Sequence, residues 1–238
     1  MLLIHSWIPI KEVYFSFNAP SWSISTEIFF YLIFPFIITL RIRNIVTILF
    51  TLIVYQITII SNNLGENIEH ALIYISPLSR VGDFSLGIIV YFIYKSINKP
   101  NKNTSSILQL LSITILILSI LFCSNKDIDQ VYRFDLYYTI PMSFIILSFS
   151  FSDGILSNIL SKRLFVLLGE ASFSLYLIHQ LVIRYLLGIN IKFFRFDGAL
   201  FDSISVSIII VGSIIMSILL FNFFEIPTKR FVYKRFST

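Results

Sequence analysis

Glu27, Arg80, Asp83, Glu170, His179, Arg184 and Glu225 each interrupt a stretch of otherwise apolar residues. A charged side chain at the centre of a membrane helix costs about 2.5 kcal/mol or more, so each needs a partner or a wet cavity and is a candidate for chemistry. Arg80 and Asp83, at i and i+3, share a helix face. That spacing reads either as a self-neutralising pair or as part of a site. Offsets of four and seven residues from Ser172 reach Tyr176 and His179, which puts the three on one polar stripe. A lone histidine in an apolar helix is more often a hydrogen-bonded structural group. Histidine is also suited to take a proton from an attacking hydroxyl near neutral pH, and a carboxylate such as Glu27 could orient or polarise it. No His-Glu-x-x-His or Cys-x-x-Cys spacing and no glycine-rich phosphate loop occurs, so no metal site is expected. His5 and His70 fall in stretches read as exposed loops and are expected to be solvated. Trp22, at the entrance of an apolar run, reads most simply as an interfacial aromatic anchor.

The elements that position these groups are membrane helices. Hydrophobic residues make up 56% of the 238 and charged residues 13%, against roughly 25% charged in ordinary globular proteins. With 25 Phe, 12 Tyr and a mean hydropathy of +0.85, the apolar surplus must face lipid rather than water. Cys123 stands alone, which excludes a disulfide framework. The net charge of +5 forms no basic stripe with interleaved stacking aromatics, so nucleic acid is not an expected partner. Uncharged runs of about 20 residues, the length a bilayer core asks, extend over Asn44–Gly65, Asn103–Asn125 and Ser203–Phe224. Four interrupted runs, near 22–40, 72–95, 133–152 and 164–187, bring the expected spans to seven. Pro35 and Pro141 fall inside two of them and predict kinks.

Assigning the connections alternately to the two sides places eleven of the 18 Lys and Arg on one side, Lys229, Arg230, Lys234 and Arg235 among them. The other side holds Lys11, Arg80, Lys126, Arg133, Arg184, Lys192 and Arg195. The positive-inside rule then predicts a cytoplasmic C-terminus and an outside N-terminus. Glu27, Arg80 and Asp83 fall in the outer half by this count. His179, sixteen residues beyond Arg163, joins them about 24 Å along its helix. Glu170 and Glu225 lie nearer the cytoplasm, giving one polar cluster per side. The expectation is an all-α polytopic membrane bundle forming a single domain over residues 1–238.

Four segments carry a resemblance. They are Asn18-Ala-Pro-Ser-Trp22-Ser-Ile-Ser-Thr-Glu27-Ile-Phe-Phe-Tyr-Leu, Ser79-Arg80-Val-Gly-Asp83-Phe-Ser-Leu-Gly, the run from Leu168-Gly169 to His179, and Phe224-Glu225-Ile-Pro227. In order and spacing they resemble the acyltransferase 3 family of integral membrane O-acyltransferases, with Asp83 where the family more often has Glu. The resemblance covers Ser6 to Lys234. It implies transfer of an acyl group, usually acetyl, from acyl-CoA to a hydroxyl of a cell-surface or lipid-linked glycan at the plasma membrane, with no bound cofactor. Glu27, Arg80, Asp83 and His179 would then be catalytic. Trp22, Ser25, Ser172, Tyr176 and Glu225 would bind substrate, with Glu225 bracing the cytoplasmic end. In the family about three helices precede the tryptophan segment, and the first carries an Arg and a His that have no counterpart here. The expectation is therefore a partial domain, with the absent helices supplied by another chain or by a longer reading frame. The alternative is a non-catalytic subunit or scaffold of a surface-polysaccharide assembly.

Overall fold

The computed structural model describes residues 3–126, 128–194 and 199–236, and every regular element among them is helical. Arg195, counted above among the outer basic residues, lies outside the described residues. The chain divides into two compact units, residues 1–16 with 22–159, and residues 17–21 with 160–238.

In the first unit, α1 (Trp22–Ile37), α2 (Ile42–Ser61), α3 (Pro77–Ser96), α4 (Lys102–Asn125) and α5 (Leu136–Ser150) follow in order. Helix α2 packs along α3, and α4 along α5. One core joins Ile37, Ile45, Leu52, Val81 and Ile88 of the first three helices. Only 17% of the α2 span and 22% of the α4 span is buried, so most of each helix presents its Leu and Ile to lipid. Polar residues on these apolar helices close on their own backbone. Thr47, Thr51 and Thr58 donate to the carbonyls of Arg43, Thr47 and Val54, which satisfies the hydroxyls without an outside partner. Helix α4 opens on Asn101, whose side chain accepts from the Thr104 N–H at 2.9 Å and caps the first turn.

In the second unit, α6 (Arg163–Glu170), α7 (Ser172–Ile189), α8 (Ala199–Leu220) and α9 (Ile226–Phe236) follow. Helix α7 lies against α8, where Gly212 brings the backbone close to Val182. A π-helical segment, Phe221–Glu225, carries α8 into α9.

Among the described residues, four helices are long and apolar enough to cross a membrane: α2, α4, α7 with its extension to Phe193, and the run Ile204–Phe236. The segment Glu66–Ile75 and α3, bent by 41°, would make a fifth. The difference from seven has identifiable causes. Helices α1 and α5 hold 16 and 15 residues, short of the roughly 20 that a 30 Å core asks. The run near 164–187 keeps its span but begins it later, because Ala171 divides α6 from α7.

Candidate functional site

The break before α3 creates the first polar cluster. Pro77 has no N–H to offer, and Ser76 leaves helical geometry at ψ 125, so the preceding π-helical turn ends with exposed carbonyls. Two side chains from the first turn of α3 reach back to them. The Ser79 hydroxyl donates to Leu72 O at 2.5 Å, and Arg80 Nε donates to Tyr74 O at 2.8 Å. The Arg80 guanidinium then spreads over four further groups. It meets Asp83 at 2.7 Å, Asp135 at 3.2 Å and Phe134 O at 3.4 Å, and its Cζ lies 4.5 Å from the Tyr74 ring centroid. Asp135 precedes α5 with no capping bond from its side chain, and its carboxylate is held by Gln56 Nε2 of α2 at 2.5 Å.

Arg80 and Asp83 thus pair as their spacing predicts, but as half of a four-residue network. Asp135 interrupts the apolar run near 133–152 close to its start without being among the candidate site residues, and Gln56 carries no signal in sequence. The Arg80 side chain is 15% exposed and Asp83 39%. Asp83 forms part of the wall of an apolar groove of about 680 Å³ between α1 and α3, together with Phe30, Phe34, Phe84 and Tyr91.

His70 and His5 correct an expectation. His5 is 7% exposed. His70 is half-buried, with its ring 5.2 Å from Tyr74 and 5.0 Å from Phe134 and its Nδ1 3.4 Å from the Tyr14 hydroxyl. A polar residue outside an apolar run looks solvated in sequence, but here the short helices between spans fold back and cover it. Trp22 likewise does not stand free as an anchor. It packs on the Tyr14, Ala71 and Ile75 cluster, 5.1 Å from the Tyr74 ring. Ser25 is 1% exposed and accepts from the Ser6 hydroxyl at 2.7 Å. Glu27 is exposed on α1.

The second unit holds the other candidates. Ser172, Tyr176 and His179 share the stripe that their spacing predicts, with the Tyr176 and His179 rings 5.9 Å apart. His179 Nδ1 lies 3.2 Å from Leu175 O. A carbonyl only accepts, so the proton of this hydrogen bond sits on Nδ1 and the neutral ring keeps its lone pair on Nε2. Ser172 is exposed, whereas Ser174 is 7% exposed and donates to Glu225 Oε2 at 3.0 Å. Ser174 is the residue the stripe missed. Lys229 closes the set with an ion pair to Glu225 at 2.8 Å. The break at Ala171 makes Ser172 the start of the helix that carries His179, and His179 lies about 10 Å along it. Glu170 and Arg184 are exposed. Asn18 Nδ2 donates to Leu177 O at 2.6 Å, tying the start of the tryptophan segment to α7. Among the described residues, no group of three or more His, Cys, Asp or Glu is placed to hold a metal ion.

Apolar helices bearing these polar clusters define a helical membrane protein. The chain belongs to the acyltransferase 3 family, whose acyltransferase-domain model matches residues 3–222. It is similar to Putative O-acetyltransferase SACOL0978 of Staphylococcus aureus (strain COL), with 28% identity over 199 residues, 76% of this chain and 30% of the relative. It is also similar to Acyltransferase MdmB of Streptomyces mycarofaciens, with 26% identity over 203 residues, 78% of this chain and 50% of the relative. The chain therefore spans between about a third and a half of the curated relatives it matches. No solved structure matches it.

Proposed function

We propose that this chain is the acyl-transferring membrane part of an O-acyltransferase, moving acetyl from acetyl-CoA to a hydroxyl of a cell-surface or lipid-linked glycan. The observation that carries the reading is the family match over residues 3–222, which takes in both the Trp22–Glu27 segment and the His179 helix. The chain lies in the plasma membrane through seven segments, the two short ones included, with the N-terminus outside and the basic C-terminus in the cytoplasm. His179 takes the proton of the acceptor hydroxyl on Nε2 as the oxygen attacks the thioester carbonyl. The C–O bond forms, the C–S bond breaks, and the CoA sulfur leaves and takes up a proton. Glu27, Arg80 and Asp83 shape the acceptor side. Trp22 and Ser25 hold the α1 entrance, Ser172 and Tyr176 line the approach to His179, and Glu225 with Ser174 and Lys229 braces the donor end.

The test is transfer of labelled acetyl from acetyl-CoA to membrane glycan by the chain assembled with the helices that precede it in its relatives. Glu27→Gln and His179→Ala should each abolish labelling. Unchanged labelling in both removes these residues from the mechanism. Background turnover together with co-purification of a partner in mild detergent is the outcome expected of a non-catalytic subunit.

A further inference from the structure

The groove between α1 and α3 joins an apolar length to one charged end. Phe30 stacks on Phe84 at 4.9 Å, and further along both helices Ile37 shares a core with Ile88, so α1 and α3 run in the same direction. Glu27 precedes Phe30 by three residues and Arg80 precedes Phe84 by four, which puts both on the turn before the stacked rings. Asp83 lines the groove at that same end. Away from it the walls include Phe34 and Tyr91, and the whole encloses about 680 Å³, within the range of ligand-sized sites. From Asp83 to Tyr91 the slot runs about 12 Å along α3. Gly87 leaves its middle open, with nothing within 4 Å of where a Cβ would stand.

The charge at this end is unbalanced. Arg80 is shared between Asp83 and Asp135, and Glu27 stands exposed on the corresponding turn of α1. Carboxylates therefore outnumber the single guanidinium. A phosphate placed here would meet like charge, at a cost in free energy. An uncharged, hydroxylated head meets acceptors instead, because carboxylate oxygens accept from its O–H groups.

We propose that this groove holds a glycolipid whose sugar is joined to its tail without a phosphate, the tail lying along Phe34, Phe84 and Tyr91 and the sugar hydroxyls meeting Glu27 and Asp83. Naming this ligand the acyl acceptor rests on the proposed transfer activity and narrows the acceptor to an uncharged amphiphile. The binding itself does not depend on that activity.

The test is photolabelling of the full chain in phosphatidylcholine nanodiscs, with dodecyl maltoside carrying a diazirine in its alkyl chain and with dodecyl phosphate carrying the same group. Peptides of α1 and α3 should take up the maltoside about fivefold more than the phosphate, and more than the lipid-facing peptides of α4 do. Glu27→Gln should narrow the gap between the two probes. Gly87→Leu, whose side chain enters the open slot, should cut maltoside labelling several-fold, whereas Gly87→Ala should leave it in place. Equal labelling by the two probes overturns the proposal, as does a gap unchanged in Glu27→Gln. Labelling of α1 and α3 no higher than that of α4, or undiminished in Gly87→Leu, overturns it too. If Gly87→Leu fails to fold, the two probes on the unaltered chain decide. Maltoside labelling without acetyl transfer would end the transfer reading and leave the site, and transfer without labelling of α1 and α3 would end the site alone.

Discussion

Arg80 Nη1 and Asp135 Oδ1 lie 3.2 Å apart across 55 residues of sequence, joining the start of α3 to the start of α5 through a guanidinium that also holds Tyr74 O and Asp83. Five directions of contact on one planar group are what arginine provides and lysine does not. This network sits where a broken helix would otherwise leave carbonyls bare in an apolar setting.

Removing the guanidinium should therefore be costly for the fold. Arg80→Met strands Asp135 and the Tyr74 carbonyl and is expected to destabilise by about 3–5 kcal/mol. Arg80→Lys should recover only part, since a point charge cannot reach both carboxylates and both carbonyls. Thermal unfolding of the full chain in detergent measures both. Full recovery by lysine would show that charge alone, and not the fork, holds the cluster.

Gln109 of α4 is fully buried and fixed to Ser157 Oγ at 2.6 Å and Phe151 O at 3.3 Å. A Cβ on Gly154 would collide with its amide. Gly154→Ala should cost about 1–3 kcal/mol by overpacking. Gly87→Ala, with open space around it, should be neutral or slightly stabilising. Pairing Gly154→Ala with Gln109→Ala should cost less than the sum of the two. Strict additivity in this double-mutant cycle counts against the collision.

Ser174 and Ser172 should behave oppositely. Ser174→Ala removes a hydrogen bond to a carboxylate and is expected to cost about 1.5–3 kcal/mol of stability, whereas Ser172→Ala, on the exposed side of the same helix, should leave the thermal unfolding midpoint in detergent unchanged. Equal effects would mean that α7 is rotated from the register described.

Lys99 and Asp153 pair at 2.7 Å on the connections outside the spans, with both side chains about half exposed. The hydrogen bond to Asp153 raises the Lys99 ammonium above the ordinary lysine range. A raised lysine contributes stability that is fully present below its unfolded pKa and is lost as pH climbs through the folded value. Stability measured between about pH 6 and pH 9 should therefore show no pH-dependent change from this pair, whose contribution stays constant there. A loss in that window that disappears in Lys99→Ala would contradict the assignment. At neutral pH the exposed pair itself should be worth little.

Composition pointed to a chain that faces lipid, because no water-facing surface can be made from so few charges, and the length of its uncharged runs pointed to helices. Spacing determined that Arg80 meets Asp83 and that Tyr176 lies over His179, since i, i+3 pairs on a helix are neighbours whatever else surrounds them. The order of four short segments was enough to point to the family. What spacing cannot say is which helix lies opposite a given face. Asp135 joins the Arg80 cluster from 55 residues further along the chain and Gln56 meets Asp135 across 79 residues, and only the packing of α2, α3 and α5 brings them together. The register of α7 against the α8–α9 turn decided that Ser174, and not Ser172, meets Glu225. The break at Ala171 decided where the helix carrying His179 begins, because an apolar pattern runs on through a residue where the backbone itself turns.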